Sequence, residues 1–350
     1  MAGASAPVGL IPRSYRPGHA APRSVTGVKA QILTAETGPD ALELRDVDDP
    51  TPTDEQLLVD IRSCGVCFPD LLMSQGKYQM RVPVPFTPGT EVAGVVASAP
   101  ASSRFSEGDR VVVTSLIGGF AERVAAVDSQ VLPLPDDLSF DEGAALGINF
   151  QTALFALDTR AQLQPGETVG VLGAAGGVGV ATIAVAKALG ARVIAIVHRE
   201  GAQDMLREVG ADEVVPLREG WGDRVKELTG GGLDVLIDPV GGEVFDEALR
   251  QVAPDGRFVV VGFAAGGIPS VKLNRVLFRN ISVVGAAWGE YVRTHPDLPE
   301  QLHERLSAMV AEKGLRPPVN VTYPLSDLPQ ALQDLADGKI LGKAVIRISE

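Results

Sequence analysis

The residues best suited to chemistry are a glycine string, two cysteines and a few cations. Gly173-Ala-Ala-Gly-Gly-Val-Gly179 ends an apolar run and opens directly into a helical pattern. A phosphate-holding turn needs one glycine for the tight bend, one for close approach of a pyrophosphate, and one for helix–strand packing. The register reads Ala174-x-Gly176-x-x-Gly179, with alanine in the first glycine position. Backbone N–H groups of Ala174, Ala175, Gly176, Gly177, Val178 and Gly179 would then face the phosphates of a dinucleotide. The end of the next run, Val193–Val197, selects which one. An acid there binds a ribose 2′-hydroxyl, whereas a 2′-phosphate calls for cations. His198 and Arg199 follow the run, and no acid comes before Glu200. Arg199, His198 and Lys187 can pair with a phosphate that a carboxylate would repel. The expected cofactor is NADPH.

These residues need a scaffold, and the remaining pattern describes one. From about residue 165 six apolar runs occur: Thr168–Gly173, Arg192–Val197, Glu213–Leu217, Leu233–Asp238, Arg257–Gly262 and Ile281–Ala286. Strands buried on both faces lose their polar alternation. Helical patterns lie between most of them, at Val178–Leu189, Ala202–Val209, Arg224–Leu228 and Val244–Val252. Together they predict an α/β fold with a doubly wound parallel Rossmann sheet. Residues 28–150 differ. Short Val-rich runs such as Leu57–Ile61, Glu91–Ala97 and Arg110–Val113 predict a mainly antiparallel β domain. A helix over Phe140–Leu157 is expected, with Ser139 and Glu142 spaced as a capping box. The expected domains are 28–150 with 288–350 for catalysis and 151–287 for the dinucleotide. Residues 1–27, with three Pro-interrupted arginines and no acid, read as a disordered extension.

Composition narrows the partners. The 350 residues carry a net charge of −13, which argues against a basic nucleic-acid reader. Val169–Ala186 is uncharged for 18 residues, but its glycines favour a strand, turn and helix over a membrane span. Two cysteines rule out a disulfide scaffold and a four-cysteine zinc site. A soluble cytoplasmic protein is expected.

The motifs resemble the medium-chain dehydrogenase/reductase superfamily. They are Cys64-Gly-Val-Cys-Phe-Pro-Asp70, Pro88-Gly-Thr-Glu-Val-Ala-Gly94, Glu107-Gly-Asp-Arg-Val111, Ala174–Gly179, Ala186-Lys-Ala-Leu-Gly190 and Gly210-Ala-Asp212. Gly76-Lys-Tyr78, Ile148-Asn-Phe-Gln-Thr152 and Asn274-Arg-Val-Leu-Phe-Arg279 resemble its zinc-independent quinone oxidoreductases. The resemblance implies a GroES-like catalytic domain beside the Rossmann domain. Zinc-dependent relatives bind the metal through Cys, His and a later Cys or Asp. Here Cys67 holds the first position, Thr90 replaces the histidine, and no cysteine follows Cys67. No zinc is therefore expected, and Cys67 and Thr90 become residues of the substrate cleft. Cys64 and Cys67 read as a redox pair or as packing residues.

Hydride delivery to a quinone or an α,β-unsaturated carbonyl creates an oxyanion or enolate, which a hydrogen-bond donor stabilises. Tyr78 is the candidate donor, or else an aromatic lid. Asn149 either contacts nicotinamide or caps its helix. By resemblance Gly262 and Asn274 line the cofactor, and Trp288 lines the cleft or packs in the core. Three functions follow: an NADPH-dependent quinone reductase, a reductase of enals, enones or enoyl thioesters, and a non-enzymatic NADPH-binding or RNA-associated protein. The bare apolar edge at 281–286 implies a homodimer.

Overall fold

Val193-Ile-Ala-Ile-Val197 shows how this sequence makes its central sheet. Its β-branched side chains favour extended backbone, and every one of the five residues is buried. Such a strand is stable only with a covered layer on each face. The computed structural model, which describes residues 27–115 and 117–349, supplies both layers. The predicted 1–27 extension lies outside the described residues except for Gly27, which opens a strand.

Six parallel strands form the sheet, in the spatial order Glu213–Pro216, Arg192–Val197, Thr168–Leu172, Leu233–Asp238, Val252–Val260 and Ser282–Gly285. Numbered along the domain this order is 3-2-1-4-5-6, the doubly wound arrangement. The expected α/β architecture is therefore present. The order reverses between Thr168–Leu172 and Leu233–Asp238, and doubly wound folds hold their ligand in a crevice at the carboxyl ends of the strands beside such a reversal.

The second sheet has seven strands, including Gln56–Gly65, Glu91–Ser98, Arg110–Thr114 and Lys343–Arg347. It is antiparallel except where Lys343–Arg347 runs parallel to Val319–Pro324. Its core holds Leu57, Ile61, Phe86, Phe120 and Ile346, with Leu328 and Leu332 from the helix Leu328–Ala336.

The predicted continuous helix over 140–157 is corrected. Ser139 does form the capping box with Glu142, but the helix stops at Leu146 and restarts as Ile148–Leu154 after Gly147. The buried carboxylate of Glu91 accepts a hydrogen bond from Ile148 N at 2.6 Å, which satisfies an N–H at the restart. A π-helical turn, Phe155–Arg160, completes the segment. Ile148–Leu154 packs against the Rossmann helix Gly177–Ala188, and the helix Leu298–Lys313 packs on Ile148–Leu154. The catalytic sheet's C-terminal strand meets the Rossmann domain at Gly342, whose N donates to Ala175 O at 2.8 Å.

Candidate active site

The crevice floor is the glycine turn after Thr168–Leu172. Gly173 adopts the left-handed φ of +58°, so the bend falls one residue before the alanine expected to carry it. Gly176 N donates to Gly173 O at 2.9 Å, and Gly176 is the N-cap of Gly177–Ala188. A Cβ on Gly179 would lie 2.7 Å from Ala174 Cα, so that glycine is fixed by helix–strand packing. A Cβ on Gly176 would come no nearer than 3.4 Å to any neighbour. Nothing within the chain therefore requires glycine at 176. The first-turn amides and the helix dipole favour an anion at this end.

Neighbouring strands complete the floor. Asp238 ends its strand buried, with Oδ1 accepting from Val240 N at 2.8 Å and Gly241 N at 2.9 Å. Burial pushes its carboxyl pKa up. Gly262 N lies 3.4 Å from Asp238 O, which places Gly262 at the same end of the sheet. Asp238 was not singled out in the sequence, although a lone acid closing an otherwise apolar run was the available signal.

The three predicted cations separate. Arg199 lies just beyond the end of Arg192–Val197 and donates to Ile340 O, with exposed His198 beside it. Lys187 sits in the last turn of the helix that begins at Gly177. At 1.5 Å per residue that is about 15 Å from the turn. It is held by both oxygens of Asp212, at 2.9 and 3.0 Å. The structure does not bring Lys187 to the phosphate end. Asn274 is exposed on the short helix Leu273–Leu277, and no hydrogen bond joins it to the turn.

The catalytic domain contributes a buried polar group. Cys67 is the N-cap of Phe68–Ser74. Its Sγ donates to Glu91 Oε1 at 3.1 Å and accepts from Lys343 Nζ at 3.1 Å. Lys343 and Glu91 form an ion pair whose side chains are 6% and 2% exposed. Thr90 is buried beside the Cys67 thiol, and its hydroxyl reaches that thiol. Asp70 is wholly buried; Oδ2 accepts from Cys67 N at 2.9 Å, and the Gly89 backbone also lies against the carboxylate. Desolvation lifts Asp70 to about 7. Burial also pushes both thiols up, so Cys64 and Cys67 stay protonated and unreactive, which favours packing over redox chemistry.

Tyr78 is half-buried against the catalytic core. Desolvation, with Asp70 and Cys67 nearby, raises its phenol pKa, so it remains a donor at neutral pH. Asn149 does not cap its helix, because the N-cap is Gly147. Its amide instead lies against Gly177, at the start of the phosphate-facing helix. Trp288 packs against the core that joins the two domains, and its Nε1 has no partner.

This group does not fit a catalytic zinc. Such a site needs three N, S or O ligands and an open position. Thr90 offers only a hydroxyl, and Cys67 Sγ is engaged by Glu91 and Lys343. Among the described residues no three His, Cys, Asp or Glu side chains are grouped to hold a metal ion. The glycine turn does fit a dinucleotide, because the open face at Gly176 is where a pyrophosphate would approach.

A glycine turn at the switch point of a doubly wound sheet, joined to a second β domain, has the architecture of a dinucleotide-dependent oxidoreductase. Comparison with known proteins is specific. Residues 53–136 match the alcohol dehydrogenase GroES-like domain family, and residues 177–308 match the zinc-binding dehydrogenase family. The chain is 37% identical over 301 residues to the quinone oxidoreductase-like protein 2 homolog of Nematostella vectensis, covering 84% of this chain and 82% of that one. Among solved structures, a probable oxidoreductase from Mycobacterium abscessus shares 47% identity with a TM-score of 0.85, covering 92% and 99% of the two chains. The quinone oxidoreductase of Thermus thermophilus, solved also with NADPH, shares 35% with a TM-score of 0.79 over 91% and 100%. CurK enoyl reductase shares 26% with a TM-score of 0.83 over 92% and 99%. The chain belongs to the quinone oxidoreductase branch of the medium-chain dehydrogenase/reductase superfamily, and it is an NADPH-dependent oxidoreductase.

Proposed function

We propose that this enzyme reduces quinones with NADPH and without zinc, as a cytoplasmic homodimer joined through 281–286. One observation carries the substrate reading: the group at the usual ligand positions offers hydrogen bonds and a lysine ammonium rather than a metal-ligand set. A quinone is already electron-poor, so hydrogen bonds suffice to stabilise the charge that hydride arrival creates. NADPH, when bound, supplies hydride from C4 of its nicotinamide.

The chain's own residues do the rest. Amides of Gly176–Gly179 hold the pyrophosphate, and Arg199 with His198 favours the 2′-phosphate. Gly262 borders the cofactor, and Asn149 orients the nicotinamide end. Thr90 and Cys67 shape the substrate cleft. The Tyr78 phenol donates to the substrate oxygen. Among the described residues no helix is long and apolar enough to cross a membrane.

A second reading has its own support, the likeness to CurK enoyl reductase: the same hydride would then reach an enal or enoyl thioester. NADPH oxidation with a naphthoquinone, an enal and crotonyl-CoA separates the two. The naphthoquinone should give the highest kcat/KM; a higher value for either alkene would replace the quinone reading. Metal analysis that found one tightly held zinc per chain would overturn the metal-free mechanism.

A further inference from the structure

The Glu91–Lys343 pair is more than the fold needs. Apolar residues of similar volume commonly replace a buried ion pair without loss of stability, so its presence asks for another role. Its contacts supply one. Glu91 Oε2 accepts from Ile148 N at 2.6 Å, at the start of the helix whose next residue, Asn149, lies against Gly177. Glu91 Oε1 accepts from Lys343, and the adjoining Gly342 N donates to Ala175 O at 2.8 Å, inside the glycine turn. One carboxylate thus reaches the turn from two sides, through Ile148–Asn149 to Gly177 and through Lys343–Gly342 to Ala175. Gly65 makes room for the pair, since a Cβ there would lie 2.6 Å from Glu91 Oε1 and 2.8 Å from Lys343 Cε. Cys67 joins the pair through its thiol, so the catalytic loop is tied to the same point.

We propose that Glu91 and Lys343 are positioning residues, a buried pair that sets the register of the dinucleotide turn against the catalytic cleft. The proposal rests on NADPH binding at the Gly173–Gly179 turn. Hydride transfer is steep in distance: a misplacement of about 1 Å can cost about 100-fold in rate. Breaking the pair therefore shifts the seat of the nicotinamide without removing any cofactor-contacting side chain.

The test uses the full chain and four variants: Lys343→Met, Lys343→Arg, Glu91→Gln and the Glu91→Gln/Lys343→Met double. NADPH affinity is read by fluorescence, kcat and KM with a naphthoquinone, and the deuterium isotope effect with C4-labelled NADPH. Lys343→Met should lower kcat by about 100-fold, raise the isotope effect and weaken NADPH binding. Lys343→Arg should restore most of the loss, and the double variant should lose no more than Lys343→Met alone. If Lys343→Met does not fold, the isosteric Glu91→Gln carries the same expectation. Unchanged kcat, isotope effect and NADPH affinity, with only Tm lowered, would reduce the pair to a structural element. A parent chain that binds NADPH but ignores the quinone would sink the substrate assignment alone, and NADPH affinity of the variants still decides the role of the pair.

Discussion

Asp70 has no solvent exposure, and desolvation raises its carboxyl from the ordinary 3.8 to about 7. Between roughly pH 4 and 7 the folded chain keeps a proton that the unfolded chain has released. Stability from this group is therefore greatest in acid and falls as pH rises through that window, then levels off above about 7. Tm of the parent relative to Asp70→Asn should decline from pH 4 to 7; a rising difference would contradict the burial argument. Tyr78 makes a kinetic prediction. If its phenol donates to the substrate oxygen, Tyr78→Phe should lower kcat/KM by about 100-fold with little change in Tm. Full activity in that variant would leave Tyr78 as a packing aromatic. Cys67 and Thr90 were legible in the sequence because both lie in short local motifs. Lys343 was not: it stands 252 positions from Glu91, and nothing in an apolar terminal run shows that its first residue turns inward.

At the scale of elements, legibility followed local pattern. Arg192–Val197 and Leu233–Asp238 have the predicted bounds because the apolar run alone delimits them. The short helices Phe68–Ser74 and Leu273–Leu277 have too few turns to show a period, and the break at Gly147 depends on a distant carboxylate. The glycine turn offers a paired test. Gly176→Ala meets no close neighbour, so Tm should hold while the added methyl obstructs the pyrophosphate and raises the Kd for NADPH by about tenfold or more. Gly179→Ala drives a Cβ into the backbone of Ala174, so the fold itself should lose about 1–3 kcal/mol, the cost typical of overpacking, and Tm should fall. Thermal melts with and without NADPH read both. Equal losses of Tm in the two variants would mean that Gly176 too is held by packing, and the open face would lose its meaning.

For the whole molecule the argument turns on where apolar surface remains. Ile268, Leu273, Leu277 and Phe278 are each between 67% and 79% exposed, and no other large hydrophobic among the described residues exceeds 42%. All four lie in the segment leading to Ser282–Gly285, the outermost strand of the Rossmann sheet. That strand pairs only with Val252–Val260 among the described residues. Gly285 O is already taken by Arg160 Nε at 2.7 Å, which leaves Ser282–Val284 as the open edge. A flat edge beside a clustered apolar patch is a hazard for a lone chain and an interface for a pair. A two-fold axis beside this edge would continue the sheet across two copies and cover the patch, because each copy presents the same surface. Sedimentation at micromolar concentration should then give twice the chain mass. Phe278→Glu together with Val283→Lys should give the single mass, with the NADPH affinity of the glycine turn kept, since that turn lies at the far side of two intervening strands. A parent chain that sediments as a monomer, or a charged double variant that remains dimeric, would move the interface elsewhere and leave this patch unexplained.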